Sequence, residues 1–484
     1  MRPTPRRTLS RHLLALLLLT AAGALESAAS AQTDGDLLAG FGDGGVVLTD
    51  IRIQQVPRSN VATGLAVDGS GRILLAGGAQ TVGSTLVEER MVAIRLTPAG
   101  VLDPSFGSGG KVRVQPFPDD PAGTRVRGGR LGFAPDGRIY LYNGATSGPT
   151  VGWALARLNA GGGLDGSFAD QGIASYLDVA DNGVDVAVQP DGKILELEGF
   201  LDEGAIPINF ELAVCRLLPD GSYDAGFGDS GCTVIGFNRG GEWDDFPYAL
   251  ALQPDGRIVV AGSADVDGPG AVNSDFAVAR LTAGGQLDSG FGTGGKVVFG
   301  FDSGTASDDV ARALAIDRRG RILLAGAAGN EAAIARLTPS GALDASFASG
   351  GKRTFHFGGA GAGLVDVAFG VAVQSDGKVV AVGRGADSAA AGMRFAVARF
   401  NAAGDLDPSF AGDGTRLYDP AAGTGTYSVA RAVTVLGDGR ILAAGGAESA
   451  PEDFDFVAVE LANSLVFADG FESADTTAWS VTSD

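Results

Sequence analysis

Two stretches decide the fold: Ala249-Leu-Ala-Leu-Gln-Pro-Asp-Gly-Arg-Ile-Val-Val-Ala-Gly262 and Phe276-Ala-Val-Ala-Arg-Leu-Thr-Ala-Gly-Gly-Gln-Leu-Asp-Ser-Gly-Phe-Gly-Thr-Gly-Gly-Lys-Val297. The first reads as a short apolar strand, an Asp-Gly turn and a second apolar strand. The second reads as a third strand, a Gly-rich connection and a fourth strand opening on Lys-Val. The pair recurs through nearly the whole chain. The cation after the first turn falls at Arg72, Arg138, Lys193, Arg257, Arg321, Lys378 and Arg440. The Phe of the second half falls at Phe41, Phe106, Phe168, Phe227, Phe291, Phe347 and Phe410. Both series have seven members, but their frames are offset.

A four-stranded sheet of about sixty residues cannot bury both of its faces alone, whereas such sheets stacked around an axis bury them against one another. Strands apolar on both sides, such as Arg321-Ile-Leu-Leu-Ala-Gly326, fit that arrangement. The offset predicts how the ring closes. The chain opens on an orphan second half, Gly35-Asp-Leu-Leu-Ala-Gly-Phe41 onward, and its last copy ends at Phe454-Asp-Phe-Val-Ala-Val-Glu-Leu461 without one. Together they make one blade and leave no free edge to aggregate. The sequence therefore predicts an all-β, seven-bladed propeller of four-stranded blades, closed by an N-terminal strand that completes the last blade.

A second regularity lies inside the copies. Arg95, Arg157, Arg216, Arg280, Arg336 and Arg399 each precede by eight residues an aspartate: Asp103, Asp165, Asp224, Asp288, Asp344 and Asp407. In the split copy both are lost together, with Glu460 and Leu38 in their places. Paired loss predicts an ion pair within each blade, since one lone buried charge is costly.

The combination of Asp-Gly-Arg-Ile-Leu-Leu-Ala-Gly with Val-Ala-Arg-Leu-Thr-Pro-x-Gly-x-Leu-Asp-x-Ser-Phe-Gly resembles the delta-60 repeat family, exported bacterial β-propeller repeats described as a domain of unknown function. The resemblance covers residues 35–461. Departures include Glu196 and Glu198, Tyr140 and Tyr142 in second strands, and Ala in place of Gly after Phe168, Phe347 and Phe410. It implies an exported or surface protein and supplies no activity that carries over residue by residue.

Arg2, Arg6, Arg7 and Arg11, an apolar run to Thr20 and Ala28-Ala-Ser-Ala31 read as a secretory signal peptide, residues 1–31. The propeller is expected over 32–462 and a C-terminal tail of unknown role over 463–484. That tail, Leu465-Val-Phe-Ala-Asp-Gly-Phe-Glu-Ser473 onward, is similar to short segments ending other exported bacterial proteins. The expected location is periplasmic, cell-surface or extracellular. The net charge of −21 becomes −24 once four Arg and one Glu leave with the signal, which argues against nucleic acid or anionic lipid as partners.

Cys215 and Cys232 lie in one copy and should face each other, and an oxidising compartment favours a disulfide over a metal-binding pair or two free thiols. After signal removal His356 is the sole histidine, which leaves no Ser-His-Asp triad and no His-rich zinc site. No cofactor is expected. The Leu-Asp-x-Ser-Phe-Gly-x-Gly-Gly loops are explained by turn chemistry, with calcium the alternative. Uniform turns should share one face of the propeller and variable loops the other, where ligands are usually taken. The richest variable loop holds Glu242, Trp243, Asp244 and Asp245: a tryptophan to stack on a sugar and carboxylates for acid–base work, or simply a solvated acidic loop. The leading functional expectation is a non-enzymatic scaffold that binds a glycan, protein or cell-surface component. The alternatives are a carboxylate-dependent glycan hydrolase or lyase with its site in the central pocket, and a structural surface protein.

Overall fold

The computed structural model describes residues 33–51, 60–82, 87–117, 125–147, 150–178, 182–202, 209–237, 244–266, 273–301, 308–358, 365–386, 388, 392–421, 427–450 and 453–463. The expected signal peptide, Glu242, Trp243 and the chain from 464 onward lie outside them. The described residues form seven antiparallel sheets of four strands each. Blade 4 shows the plan: Asp245–Leu252, Ile258–Asp265, Ser274–Leu281 and Lys296–Phe299, paired in chain order. Among the described residues no helix is long and apolar enough to cross a membrane.

The first strand of each blade is innermost, because it packs against the first strands of both neighbouring blades. These strands are Val61–Val67, Arg125–Phe133, Asn182–Val188, Asp245–Leu252, Asp309–Ile316, Val367–Val373 and Ser428–Val435. The second strands are buried on both sides, as in Ile322–Ala328, since each face meets a different blade. The core is accordingly divided into inter-blade layers. One joins Val259, Ala261, Phe276 and Phe291 of blade 4 to Ile322, Leu324 and Leu337 of blade 5.

Closure follows the split-blade plan. Val46–Thr49 pairs antiparallel with Asp453–Leu461, Val46 opposite Val459 and Thr49 opposite Phe456. It forms the outermost strand of blade 7. The N-terminal segment is also tied to blade 6, where the Tyr418 hydroxyl donates to Gly35 O at 2.5 Å and Arg416 meets Asp36 at 2.7 Å.

The residue after each repeat Phe donates its N–H to the following blade. The bonds run from Gly42 to Ala99, Gly107 to Gly161, Ala169 to Asp220, Gly228 to Gly284, Gly292 to Ser340, Ala348 to Ala403 and Ala411 to Asp34. Seven bonds thus make a complete circuit. This donor position has a left-handed backbone, with φ of 52° at Gly42 and 51° at Gly292. Blades 2, 5 and 6 put alanine there, at φ 41°, 48° and 53° for Ala169, Ala348 and Ala411.

Cys215 and Cys232 stand opposite each other on adjacent strands, bonded, with Cα atoms 4.0 Å apart. His356 follows strand Lys352–Phe355 and is not part of it.

Two outcomes are expected. Replacing Ala169, Ala348 and Ala411 by Gly relieves left-handed strain and stabilises by at most about 1 kcal/mol per site, read as a raised Tm in thermal melts. Reduction of the Cys215–Cys232 bond lowers stability by about 3 kcal/mol in denaturant titrations, the value for a loop of this size.

Candidate functional site

The repeat arginines and aspartates meet in every blade that carries them. Arg95, Arg157, Arg216, Arg280, Arg336 and Arg399 lie 2.8 to 3.0 Å from Asp103, Asp165, Asp224, Asp288, Asp344 and Asp407 respectively. Each guanidinium also sits over its own repeat Phe, as Arg336 does at 4.4 Å from the Phe347 centroid. It then donates across the interface to the next blade. Arg95 reaches Ala160 O at 2.5 Å, Arg157 reaches Pro219 O at 2.5 Å, Arg216 reaches Ala283 O at 2.7 Å and Arg336 reaches Ala402 O at 2.8 Å. Arg280 bonds Pro339 O in the same way. Arg399, facing the split blade, finds its partners in the segments before the propeller's first strand and after its last, Asp34 at 2.7 Å and the Asn463 side chain.

A third member escaped the sequence reading. The cation after the Asp-Gly turn also reaches the same carboxylate: Arg138 to Asp165 at 3.3 Å, Lys193 to Asp224 at 2.9 Å, Arg257 to Asp288 at 3.0 Å and Lys378 to Asp407 at 3.0 Å. In blade 7 the corresponding Arg440 pairs with Glu460. Seven-fold recurrence of that cation was the available signal. These groups occupy the uniform face, where they tie neighbouring blades together.

The variable face differs in kind. Asp245 is buried and accepts the Phe237 N–H at 2.6 Å, fastening the connection that enters its strand. Asp309 and Asp366 repeat this bracket with Phe301 and Phe357. His356 Nδ1 stands 3.0 Å from Asp366, so this histidine belongs to a bracket. Asp244 accepts the Phe210 N–H at 2.9 Å. The two described members of the acidic loop are therefore engaged with backbone. Among the described residues no group of three or more His, Cys, Asp or Glu is arranged to hold a metal ion.

Toward this face every innermost strand carries an irregularity at the same level: between Ala62 and Gly64, Arg127 and Arg130, Gly183 and Asp185, Pro247 and Ala249, Ala311 and Ala313, Ala368 and Gly370, and Ala430 and Ala432. A bulge leaves one residue without a partner and re-aims its side chain. Thr63, Val184, Tyr248, Arg312, Phe369 and Arg431 are such residues, and blade 2 has Gly128 and Gly129 there. Contacts between the larger ones run around the axis. Arg312 lies 4.9 Å from the Tyr248 centroid and 5.7 Å from Phe369, and Arg431 lies 3.9 Å from Phe369. Arg384, at the end of its second strand, lies 5.9 Å from Phe369 and donates to the Tyr427 hydroxyl at 3.0 Å.

Arg130 reaches across from blade 2. It donates to Val184 O at 3.2 Å and Tyr248 O at 3.4 Å, and its Nε is 3.7 Å from Asp185. Asp185 also accepts the N–H groups of Val186 at 3.0 Å and Leu250 at 2.9 Å. Burial, then the charges of Arg384, Arg312 and Arg130, push Arg431 down to about 10, with Tyr427 acting against them. The sequence reading did not find this ring, because its members share no repeat position that spells one residue type.

Fold and site together define a seven-bladed β-propeller with a uniform ion-paired face and a cationic, aromatic axial mouth on the variable face. Residues 253–291, 320–347 and 374–410 match a family described as domain of unknown function (DUF5122) beta-propeller. No curated protein matches the chain. Solved structures similar to it include a protein of unknown function from Dyadobacter fermentans, 13% identical over 70% of this chain and 94% of that one, TM-score 0.42. Another is a protein from Lactobacillus plantarum, 14% identical over 78% and 91%, TM-score 0.40. A third is polysaccharide lyase Uly1, 10% identical over 83% and 90%, TM-score 0.47.

The carboxyls divide into two populations, and stability should follow both. Asp103 is held down at about 2 by the Ser105 hydroxyl and N–H and by Arg95. At Asp407 burial pushes upward, but Ser409, Lys378 and Arg399 hold it at about 2. Their stabilisation is full above the ordinary aspartate value and is lost as pH falls toward 2. Burial raises Asp245 to about 7, and burial with Asp244 and Asp308 raises Asp265 to about 6. Their contribution is full below the ordinary value and is lost as pH rises through 6 and 7. Thermal melts from pH 2 to 8 are expected to peak at about pH 4. Asp245→Asn should flatten the limb above that peak.

Proposed function

We propose that this chain is an exported delta-60-type propeller that acts as a binding scaffold and takes its ligand at the axial mouth of the variable face. The observation that carries this reading is the ring of bulges. Seven innermost strands break their pairing at one level, and in six of them the unpaired residue carries a side chain. Breaks in pairing give up ladder hydrogen bonds, and bulges of this kind serve to aim side chains. A rigid scaffold with variable loops around an opening suits recognition of a glycan, protein or cell-surface component.

Binding is favoured over hydrolysis or elimination by the state of Asp185. Glycan cleavage by carboxylates asks for an acid–base pair free to face the substrate. Asp185 is committed to Arg130 and to two backbone N–H groups.

Capture of components from the native cell envelope, together with a glycan array, tests the assignment. Tyr248→Ala and Phe369→Leu should each weaken capture about tenfold or more without lowering Tm by more than a few degrees. Arg319→Gln, on the opposite face, should leave it unchanged. Equal capture by all three variants and wild type would remove the mouth as the binding site.

A further inference from the structure

From the charge around Phe369 we infer that the axial mouth is an anion site, and that its ligand is a compact oxyanion carrying at least two negative charges. The inference rests on the mouth being the binding site and adds the chemical class it accepts.

Three guanidiniums from three different strands approach one aromatic ring: Arg431 at 3.9 Å, Arg312 at 5.7 Å and Arg384 at 5.9 Å from the Phe369 centroid. Arg130 adds a fourth cation at the same level. Asp185 offsets Arg130 at 3.7 Å, while the ion pairs found among the described residues involve none of Arg312, Arg384 or Arg431. The Nε atoms of these three are buried and make no hydrogen bond within the described structure.

Like charges held this close repel, and burial followed by these neighbouring cations lowers Arg431. Elsewhere the protein behaves oppositely. Each of the six repeat arginines of the third strands meets a carboxylate, and the chain as a whole is acidic, at −21. Cations without carboxylates at the one opening where bulges aim side chains are what an incoming anion would complete.

The guanidinium fork matches carboxylate, phosphate and sulfate oxygens through two parallel hydrogen bonds. Three such forks around one ring call for more than one negative charge. Phe369 and Tyr248 supply apolar faces beside them, and the acidic exterior disfavours a long polyanion spread over the surface. A short, multiply charged group fits both constraints, whether it is a free ion or the acidic end of a glycan.

Calorimetric titration and thermal shift at low ionic strength test this on the whole mature protein. The probes are acetate, inorganic phosphate, sulfate, citrate, a galacturonate trisaccharide and a neutral trisaccharide of equal length. The multivalent anions should bind and raise Tm, and acetate should bind at least tenfold more weakly. Arg431→Gln and Arg312→Gln should each weaken the preferred anion tenfold to a hundredfold, the range for a charge-assisted hydrogen bond. Arg431→Lys should recover part of that loss. Neither Gln variant should lower the ligand-free Tm, because removing one of several repelling cations relieves strain. Preference for the galacturonate chain over phosphate and citrate would identify a glycan as the source of the charge, and the reverse a free ion.

Absence of any anion-dependent shift, or a shift unchanged in both Gln variants, overturns the inference. If the neutral trisaccharide binds as well as the charged one and Tyr248→Ala abolishes both, the anion class falls and the mouth stands. If no probe binds and envelope capture ignores Tyr248→Ala, both fall.

Discussion

Everything in this propeller hangs on a stitch between neighbouring blades. A third-strand arginine is clamped by an aspartate eight residues later, lies on its own repeat phenylalanine and donates to a carbonyl of the next blade. Beside it, the residue after that phenylalanine donates its N–H to the same neighbouring turn. The phenylalanine is covered in turn by a glycine of the next blade. A Cβ at Gly285 would lie 3.0 Å from the Phe227 ring, and one at Gly100 would lie 2.9 Å from Phe41. Both glycines have φ near 80° to 90°, so backbone conformation and close approach demand the same residue. The guanidinium's worth lies in having all its partners at once, because a buried charge with one partner missing is a liability.

Blade 7 shows the rule by its exception. It has neither Arg nor Asp at the stitch positions, and Glu460 at the arginine position pairs with the turn cation Arg440 instead. Arg399 of blade 6 meets Asp34 from one end of the propeller and Asn463 from the other. The circuit of backbone bonds likewise passes through Asp34. The first and last segments of the propeller are fixed here by strand pairing and by charge.

Cohesion on the uniform face and in the inter-blade layers lets the opposite face depart from regular pairing. There the first strands give up regular pairing, and the cations gathered around Phe369 are not matched to carboxylates as those of the other face are. A protein with so many well-balanced arginines can carry a few unbalanced ones. This contrast between neutralised and unneutralised guanidiniums distinguishes framework from site.

The sequence by itself determined the blade count, the four-strand plan, the closure and the partners within each stitch. These are periodic, and a period of about sixty residues reports directly which side chains repeat the same environment. It also placed Cys215 opposite Cys232, since both fall on strands paired by the repeat. The tertiary structure decided which strand is innermost, that Asp245 fastens a connection, and that the turn cation shares the stitch carboxylate. It alone assembled Arg130, Arg312, Phe369, Arg384 and Arg431, residues from four blades that share no motif. The reason is geometric: neighbours within a blade are fixed by chain spacing and strand register, whereas neighbours across the axis meet only once all seven blades have closed.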